Sequence, residues 1–390
     1  TVHRICLRDP QEKGKERRGP VTIFRPVPMR KPSNIVLYML QLAWFVLVAA
    51  WQTLTGHLRH RYDIIYVHTI PDILVVAGLV PKKLGARVIL DMHEVMPELY
   101  MNRHHAKPGS RLLKTIIWLE KVSIGIADHV FVAAPFLVDI LHSRHQCRLK
   151  LTVMLNVPNP RYFTLPAAGI GKRETDEFHL IYPGTLSELH GVDVALAALA
   201  LIKRETDWPV FFHIYGRGPQ KEALVAFAQK EGLSNVLFHD EVSVDQLGRL
   251  LHRMDLGIVS KRSGVFAEDA VSTKLLEFAA TGLPAVVSRT RGDMIFFDDS
   301  MFVFVEPGNA RALADGIMSL YLDRHRYTAM SAALRRWAEG NLWEKQRQLF
   351  CSIIDRLALP STAARAAPLY PAAGREAVLE SAPSRLDQTR

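Results

Sequence analysis

Short apolar runs alternate with longer amphipathic stretches along most of this chain. In the first half, strand-like runs fall at residues 21–24, 63–68, 87–91 and 129–134, with another, Val2-His3-Arg4-Ile5-Cys6-Leu7, at the start. A helical period covers 110–126, with apolar residues at 112, 113, 116, 117 and 119. The second half repeats the alternation more cleanly. Its strands read at 178–183, 210–215, 235–239, 255–260, 284–288 and 302–305, and its helices at 192–203, 220–231, 244–253, 273–281 and 310–322. Apolar strands separated by helices and short connectors predict parallel sheets covered on both faces. The expected fold class is α/β, with two doubly wound, Rossmann-like domains.

Residues 156–172 break the pattern with three prolines and no sustained period, and read as a linker. The expected division is a first domain over 1–165, a second over 166–340, a late helix over 341–359 and a disordered tail over 360–390, where Ala, Pro and Arg take over. Ligands of such sheets bind in the crevice beyond the carboxyl ends of the strands.

The run 35–55 carries no charge, contains Trp44 and Trp51, and is flanked by Arg30-Lys31 and by Arg59 and Arg61. Its length suits a membrane span, which takes about 20 apolar residues. Gln41, Gln52 and the threonines dilute it. Three readings stay open: a helix lying in the plane of a membrane surface, a long buried helix, and a span.

Charge narrows the choice of partner. The net charge of +10 calls for an anionic one: nucleic acid, an acidic membrane surface or phosphorylated small molecules. The basic residues do not interleave with aromatics as a base-stacking groove requires, so nucleic acid is set aside for membrane surface and phosphate. The three cysteines, Cys6, Cys147 and Cys351, offer neither a disulfide framework nor a zinc spacing, which suits a reducing compartment.

Candidate chemistry concentrates in Glu268-Asp269-Ala270-Val271-Ser272-Thr273-Lys274-Leu275-Leu276-Glu277, which runs on into Thr281-Gly282-Leu283-Pro284-Ala285-Val286-Val287-Ser288. Ser272 or Thr273 is expected to cap a helix whose free N–H groups and dipole suit a diphosphate, with Lys274 adding charge. Glu277, one turn in, is placed to accept hydrogen bonds from ribose hydroxyls, and Asp269, in the loop, to reach those of a sugar. The plain alternative is a surface helix with a capped start and solvated acids.

This stretch resembles the donor-site signature of retaining glycosyltransferase family four, the "glycosyl transferases group 1" of GT-B fold: an acid, seven residues, a glutamate, then a small-Gly-x-Pro-Val-Val strand. Tyr182-Pro183-Gly184-Thr185-Leu186 with His190-Gly191-Val192-Asp193 resembles the family's Gly-Arg-Leu…Lys-Gly stretch. Tyr215-Gly216-Arg217-Gly218-Pro219, Asn235-Val236-Leu237-Phe238 and Met254-Asp255-Leu256 follow in family order. Asp91-Met92-His93-Glu94-Val95-Met96-Pro97-Glu98 is similar to its Asp-x-His-Glu-x-x-Pro-Glu segment; Pro97 replaces the second histidine of a zinc-protease motif. His68, at the end of the preceding strand, is a weaker candidate for the same place.

The resemblance implies transfer of a sugar, with retention, from a nucleotide diphosphate sugar to a glycan or lipid-linked acceptor in bacterial cell-surface polysaccharide or glycolipid synthesis. It implies His93 and Asp269 close to the transferred sugar. It implies Gly184, Thr185, His190, Gly216, Arg217, Lys261, Arg262, Thr273, Lys274, Leu275 and Glu277 around the donor, and a late helix returning to the first domain. No cofactor or metal is expected beyond the donor, since no Asp-x-Asp motif is present. The protein then contributes orientation and electrostatics, at the inner face of the cell membrane. Two departures matter. Thr185 and His190 stand where the family has Arg and Lys on the diphosphate, and both are weaker phosphate partners, with Lys274, Lys261 and Arg262 available to compensate. The family's first strand and its glycine-bearing loop belong before Val2, which reads as truncation. A catalytically weak partner subunit of the same fold and a nucleotide-sugar epimerase remain as alternatives.

Overall fold

The structure, a computed structural model, describes residues 2–29, 35–104, 109–147, 150–163, 177–262 and 271–358. The chain forms two compact units. One runs to Leu155 and resumes at Phe350; the other takes in Asn156–Leu349.

The first unit holds two sheets. One comprises β1 (Val2–Ile5), β2 (Lys15–Arg18) and β3 (Val21–Phe24) in the order β1-β3-β2. β2 carries only charged residues, so the apolar pattern misses it; it forms because Gly19-Pro20 turns the chain back, pairing Arg18 with Val21 antiparallel. The other sheet is parallel: β4 (Ile64–His68), β5 (Arg87–Met92), β6 (His129–Val132) and β7 (Leu151–Val153), in that order. The helix Arg111–Ile126 starts on Ser110, whose Oγ accepts from the Leu113 N–H at 3.3 Å.

The long apolar run becomes the helix Ile35–His60, in which Leu37–His60 is long and apolar enough to cross a membrane. Only a narrow stripe turns inward: Phe45, Ala49, Thr53 and His57, spaced four apart, are buried. Leu37, Met39, Leu40, Trp44, Leu47, Trp51 and Leu58 are exposed. The long-buried-helix reading is therefore corrected. The inner stripe suffices to dock the helix, and most of its apolar surface remains outside.

In the second unit, six parallel strands lie in the order β10-β9-β8-β11-β12-β13: β8 (Phe178–Pro183), β9 (Val210–Tyr215), β10 (Val236–His239), β11 (Leu256–Val259), β12 (Ala285–Ser288) and β13 (Val303–Val305). The order reverses between β8 and β11, which is the switch point of a doubly wound sheet. Alternate residues feed two cores: Phe178, Leu180, Phe212, Ile214, Leu256 and Ile258 go to one, and Ile181, Val259, Ala285, Val287 and Phe304 to the other. Burial on both faces explains why these strands are apolar throughout.

The unit boundary falls earlier than the expected 165/166. The helix Pro160–Phe163 belongs to the second unit because Phe163 is buried in that unit's core. Residues 164–172 of the expected linker and the tail beyond 358 lie outside the described residues. The helix Trp343–Ala358 changes units along its length, and Phe350 packs 5.9 Å from the rings of Tyr66 and Phe131.

Candidate functional site

The residues singled out from the sequence fall into two groups, one in each unit. The second unit's group is built from loops at the carboxyl ends of β8, β9 and β11. Pairing of β8 with β9 continues past the strands: the Gly184 N–H donates to the Tyr215 carbonyl and the Leu186 N–H to that of Arg217, both at 2.8 Å. A Cβ on Gly216 would meet the Gly184 oxygen at 1.9 Å, so only glycine allows the two loops to touch. Gly191, at φ +59, is equally constrained, since a Cβ there would lie 1.9 Å from the Ser260 carbonyl oxygen. The loop after β8 is thereby clamped to the loop after β11. The Arg262 N–H donates to the Leu189 carbonyl at 3.0 Å, and His190 comes under the influence of Lys261.

The helix Thr273–Thr281 forms where expected, but Ser272 at its N-cap makes no side-chain capping bond. This corrects the expectation that Ser272 or Thr273 caps it. Asp293 does the anchoring: its Oδ1 accepts from the Ser272 N–H at 2.6 Å, while Oδ2 accepts from Lys261 Nζ and Thr290 Oγ1, each at 2.8 Å. Asp293 is fully buried, so one carboxylate ties the start of the helix to Lys261.

Lys274 turns back over β8. Its Nζ lies 5.2 Å from the centre of the Tyr182 ring, and its Cε is 2.6 Å from where a Cβ on Gly184 would stand. Burial lowers the Lys274 ammonium below the ordinary lysine value, with Glu277 opposing, and burial raises the Glu277 carboxyl, with Lys274 opposing. Burial, then the charges of Lys274 and Lys261, pushes His190 down to about 4, so its imidazole is neutral at pH 7. Its Nδ1 shares a 2.7 Å hydrogen bond with Ser187 Oγ. The group formed by Gly184, His190, Lys261, Lys274 and Glu277 is thus half-buried, with a neutral imidazole and two ammonium groups, Lys261 held by Asp293 and Lys274 set against Glu277.

Other expected residues are placed differently. The Leu275 side chain is buried in the core and its N–H bonds the Ser272 carbonyl, so it serves packing. Arg262 is paired with Asp193, and exposed Arg217 lies 3.5 Å from Glu241. Thr185 is exposed, its carbonyl accepting from the Tyr182 hydroxyl at 2.8 Å; Thr273 is exposed too. Asp269 lies outside the described residues. Asp293 is not marked by the sequence, and Tyr182 only as part of a motif, because nothing in the spacing relates either to a lysine far along the chain. Beside the end of β9, a cavity of about 400 Å3 is lined by Tyr215, Val242, Gln246, Arg249, Leu250 and Arg253.

The first unit's group sits at the carboxyl ends of β4 and β5. His68 pairs in register with Asp91, and Tyr66 and His93, each two residues away from one of them, share that face. Asp91 Oδ2 lies 3.1 Å from His68 Nδ1 and 3.3 Å from His93 Nε2, and accepts from the Tyr66 hydroxyl at 2.9 Å. Burial pushes the Asp91 carboxyl up, but the bonds from His68 and His93 outweigh it and hold Asp91 well below the usual carboxylate range. The hydrogen bond to Asp91 raises His93 above the ordinary imidazole value. His93 is exposed, with its N–H on Thr69 Oγ1 at 3.2 Å.

Comparison with known proteins places both units. Residues 168–337 match the family described as "Glycosyl transferases group 1", and residues 1–156 match "Glycosyl transferase 4-like domain". The chain is 24% identical, over 84% of its length and 83% of the relative's, to the Escherichia coli K12 protein named for colanic acid biosynthesis, glycosyl transferase WcaI. It is 26% identical over 56% of its length to an Arthrobacter D-inositol 3-phosphate glycosyltransferase, covering 48% of that protein. In fold it is similar to Anabaena HepE, solved in complex with UDP (TM-score 0.64, 16% identity, 86% of each chain). It is also similar in fold to sucrose-phosphate synthase from Thermosynechococcus elongatus (TM-score 0.66, 17% identity, 91% of this chain and 88% of that one).

Proposed function

From the premise that this chain is an α/β enzyme of the group 1, family-four-like glycosyltransferases of GT-B fold, we propose that it transfers a sugar with retention from a nucleoside diphosphate donor to a glycan or lipid-linked acceptor. The observation that carries the proposal is Lys274, drawn over Gly184 and Tyr182 at the end of β8. There it supplies the charge that Thr185 and His190 lack. The diphosphate sits between the Gly184 loop and the start of the helix Thr273–Thr281, facing Lys274, with Glu277 receiving ribose hydroxyls. Anabaena HepE, similar in fold, has been solved in complex with UDP and with UDP-glucose, ligands of this nucleoside diphosphate class.

In the proposed reaction the bond from the anomeric carbon to the diphosphate oxygen breaks. The acceptor hydroxyl oxygen bonds to that carbon on the face that was vacated, and its proton passes to the departing phosphate. Lys274 stabilises the charge building on the leaving oxygens, and no metal takes part. His93, held by Asp91, orients the sugar. The helix Ile35–His60 rests its outer apolar face in the surface of the inner membrane, bringing the enzyme to lipid-linked acceptors for cell-surface glycan synthesis.

Thermal melting with UDP, GDP, ADP and CDP, on the wild type and Glu277→Ala, tests the donor site. A nucleotide held at about 100 times its Kd stabilises the native state by about 2.7 kcal/mol. The expected result is that one nucleotide raises the melting temperature of the wild type and has little effect on the variant. Equal stabilisation of both would overturn the assignment.

A further inference from the structure

We propose that His68, Asp91 and His93 form a binding site for a divalent transition-metal ion of the Zn2+ class. The three side chains converge at the carboxyl ends of β4 and β5, and their ligand atoms, one from each residue, all lie within 4.8 Å of one another. Tetrahedral zinc with bonds of about 2.0–2.2 Å to nitrogen and oxygen holds its ligand atoms about 3.3–3.5 Å apart. His68 Nδ1 and His93 Nε2 stand 3.1 and 3.3 Å from Asp91 Oδ2, so each imidazole already lies near that spacing from the carboxylate.

The chemistry of the set agrees with its spacing. Two imidazoles and one carboxylate suit zinc, nickel, cobalt or iron, and leave coordination positions open to water or an exogenous ligand. The Tyr66 hydroxyl donates to the same Asp91 Oδ2 at 2.9 Å and helps fix the carboxylate's orientation, as outer partners of metal ligands commonly do. Access is open: the His68 side chain is 64% exposed and that of His93 39%, while Asp91 is 12% exposed and anchors the base.

The register of the strands produces the arrangement. His68 stands beside Asp91 on the neighbouring strand, and His93 follows Asp91 by two residues on the same face. The second unit's histidine cluster is unlike this. His179, His213 and His239 are joined nitrogen to nitrogen at 2.9 and 3.1 Å in a line across three strands, so their nitrogens pair with one another and do not converge. An ion at the first site occupies the imidazole assigned above to the sugar, and therefore inhibits transfer. That consequence rests on the proposed function; the binding does not.

The test is titration of the full, tag-free chain with Co2+, read by visible ligand-field bands, followed by displacement with Zn2+. Wild type, His68→Ala and Asp91→Asn are compared, and each variant's folding is checked by circular dichroism. The expected result is one saturable site with imidazole-bound bands, weakened about tenfold or more in both variants. No saturable binding, or binding equal in wild type and His68→Ala, overturns the proposal. Because no nucleotide is present, a failure of the donor-site reading leaves this result unaffected.

Discussion

Gly184 and Lys274 are separated by nearly half of the second unit's sequence, yet a Cβ on Gly184 would stand 2.6 Å from Lys274 Cε and 2.9 Å from its Nζ. Gly184→Ala therefore displaces the ammonium from its place over Tyr182. The expected effect on nucleoside diphosphate affinity is a loss of roughly tenfold, or about 1.4 kcal/mol. Calorimetry measures it directly, and unchanged affinity in a folded variant refutes the placement of the diphosphate.

Lys274 itself gives a sharper test. A hydrogen bond to a charged group contributes about 1.5–3 kcal/mol, so Lys274→Met is expected to lower kcat/KM by roughly one to two powers of ten. Lys274→Arg should recover part of this through a second cation of greater reach. If Lys274→Met transfers sugar at the wild-type rate, the leaving group takes its charge stabilisation elsewhere.

Asp293 makes a prediction about folding. Its removal takes away the carboxylate that Lys261 and the Ser272 N–H share, at a position where Asp293 itself is fully buried. Breaking such a pair from one side costs about 3–5 kcal/mol, so urea unfolding of Asp293→Ala should show a loss of that order. A loss below about 1 kcal/mol, the scale of an exposed ion pair, rules out the anchoring role.

His129 predicts a pH dependence of stability. Burial, and then the charge of Arg356, pushes its imidazole down to about 4, with Nε2 3.0 Å from Thr152 Oγ1. The unfolded chain protonates near the ordinary value of about 6.5. The native state therefore binds the proton less well, and this stability is present above about pH 6.5 and lost as pH falls toward 4. His129→Gln keeps a hydrogen-bonding group and should flatten that part of the urea-midpoint profile. A profile identical to wild type assigns the acid sensitivity to other groups.

The helix Ile35–His60 predicts lipid binding confined to one face. Each apolar side chain buried fully contributes about 1.5–3 kcal/mol, so Trp51→Asp or Leu47→Asp should reduce partitioning onto anionic vesicles by tenfold or more. Tryptophan fluorescence during vesicle titration reports it. Loss of binding in these outward variants with unchanged melting temperature supports the in-plane reading, and retained binding argues against it.

The alternation of strands and helices was legible along the chain because sheets buried on both faces demand apolar strands at regular intervals. The helix Thr273–Thr281 and the strands flanking it were read nearly to the residue. The glycines at 184, 191 and 216 could be marked from their motifs, since close approach of loops leaves glycine as the residue that fits. Charged β2 was invisible, because a turn and a partner strand make it rather than its own pattern. Tertiary structure alone decided which lysine meets which loop, that Asp293 and not a serine hydroxyl anchors the helix, and that Leu275 packs inward. It also decided that most of the run 35–55 faces outward and that His68 joins Asp91 and His93. Local propensity acts over a few neighbours, whereas these pairings depend on strand register and on elements far apart in the chain, which only the folded sheet brings within ångströms.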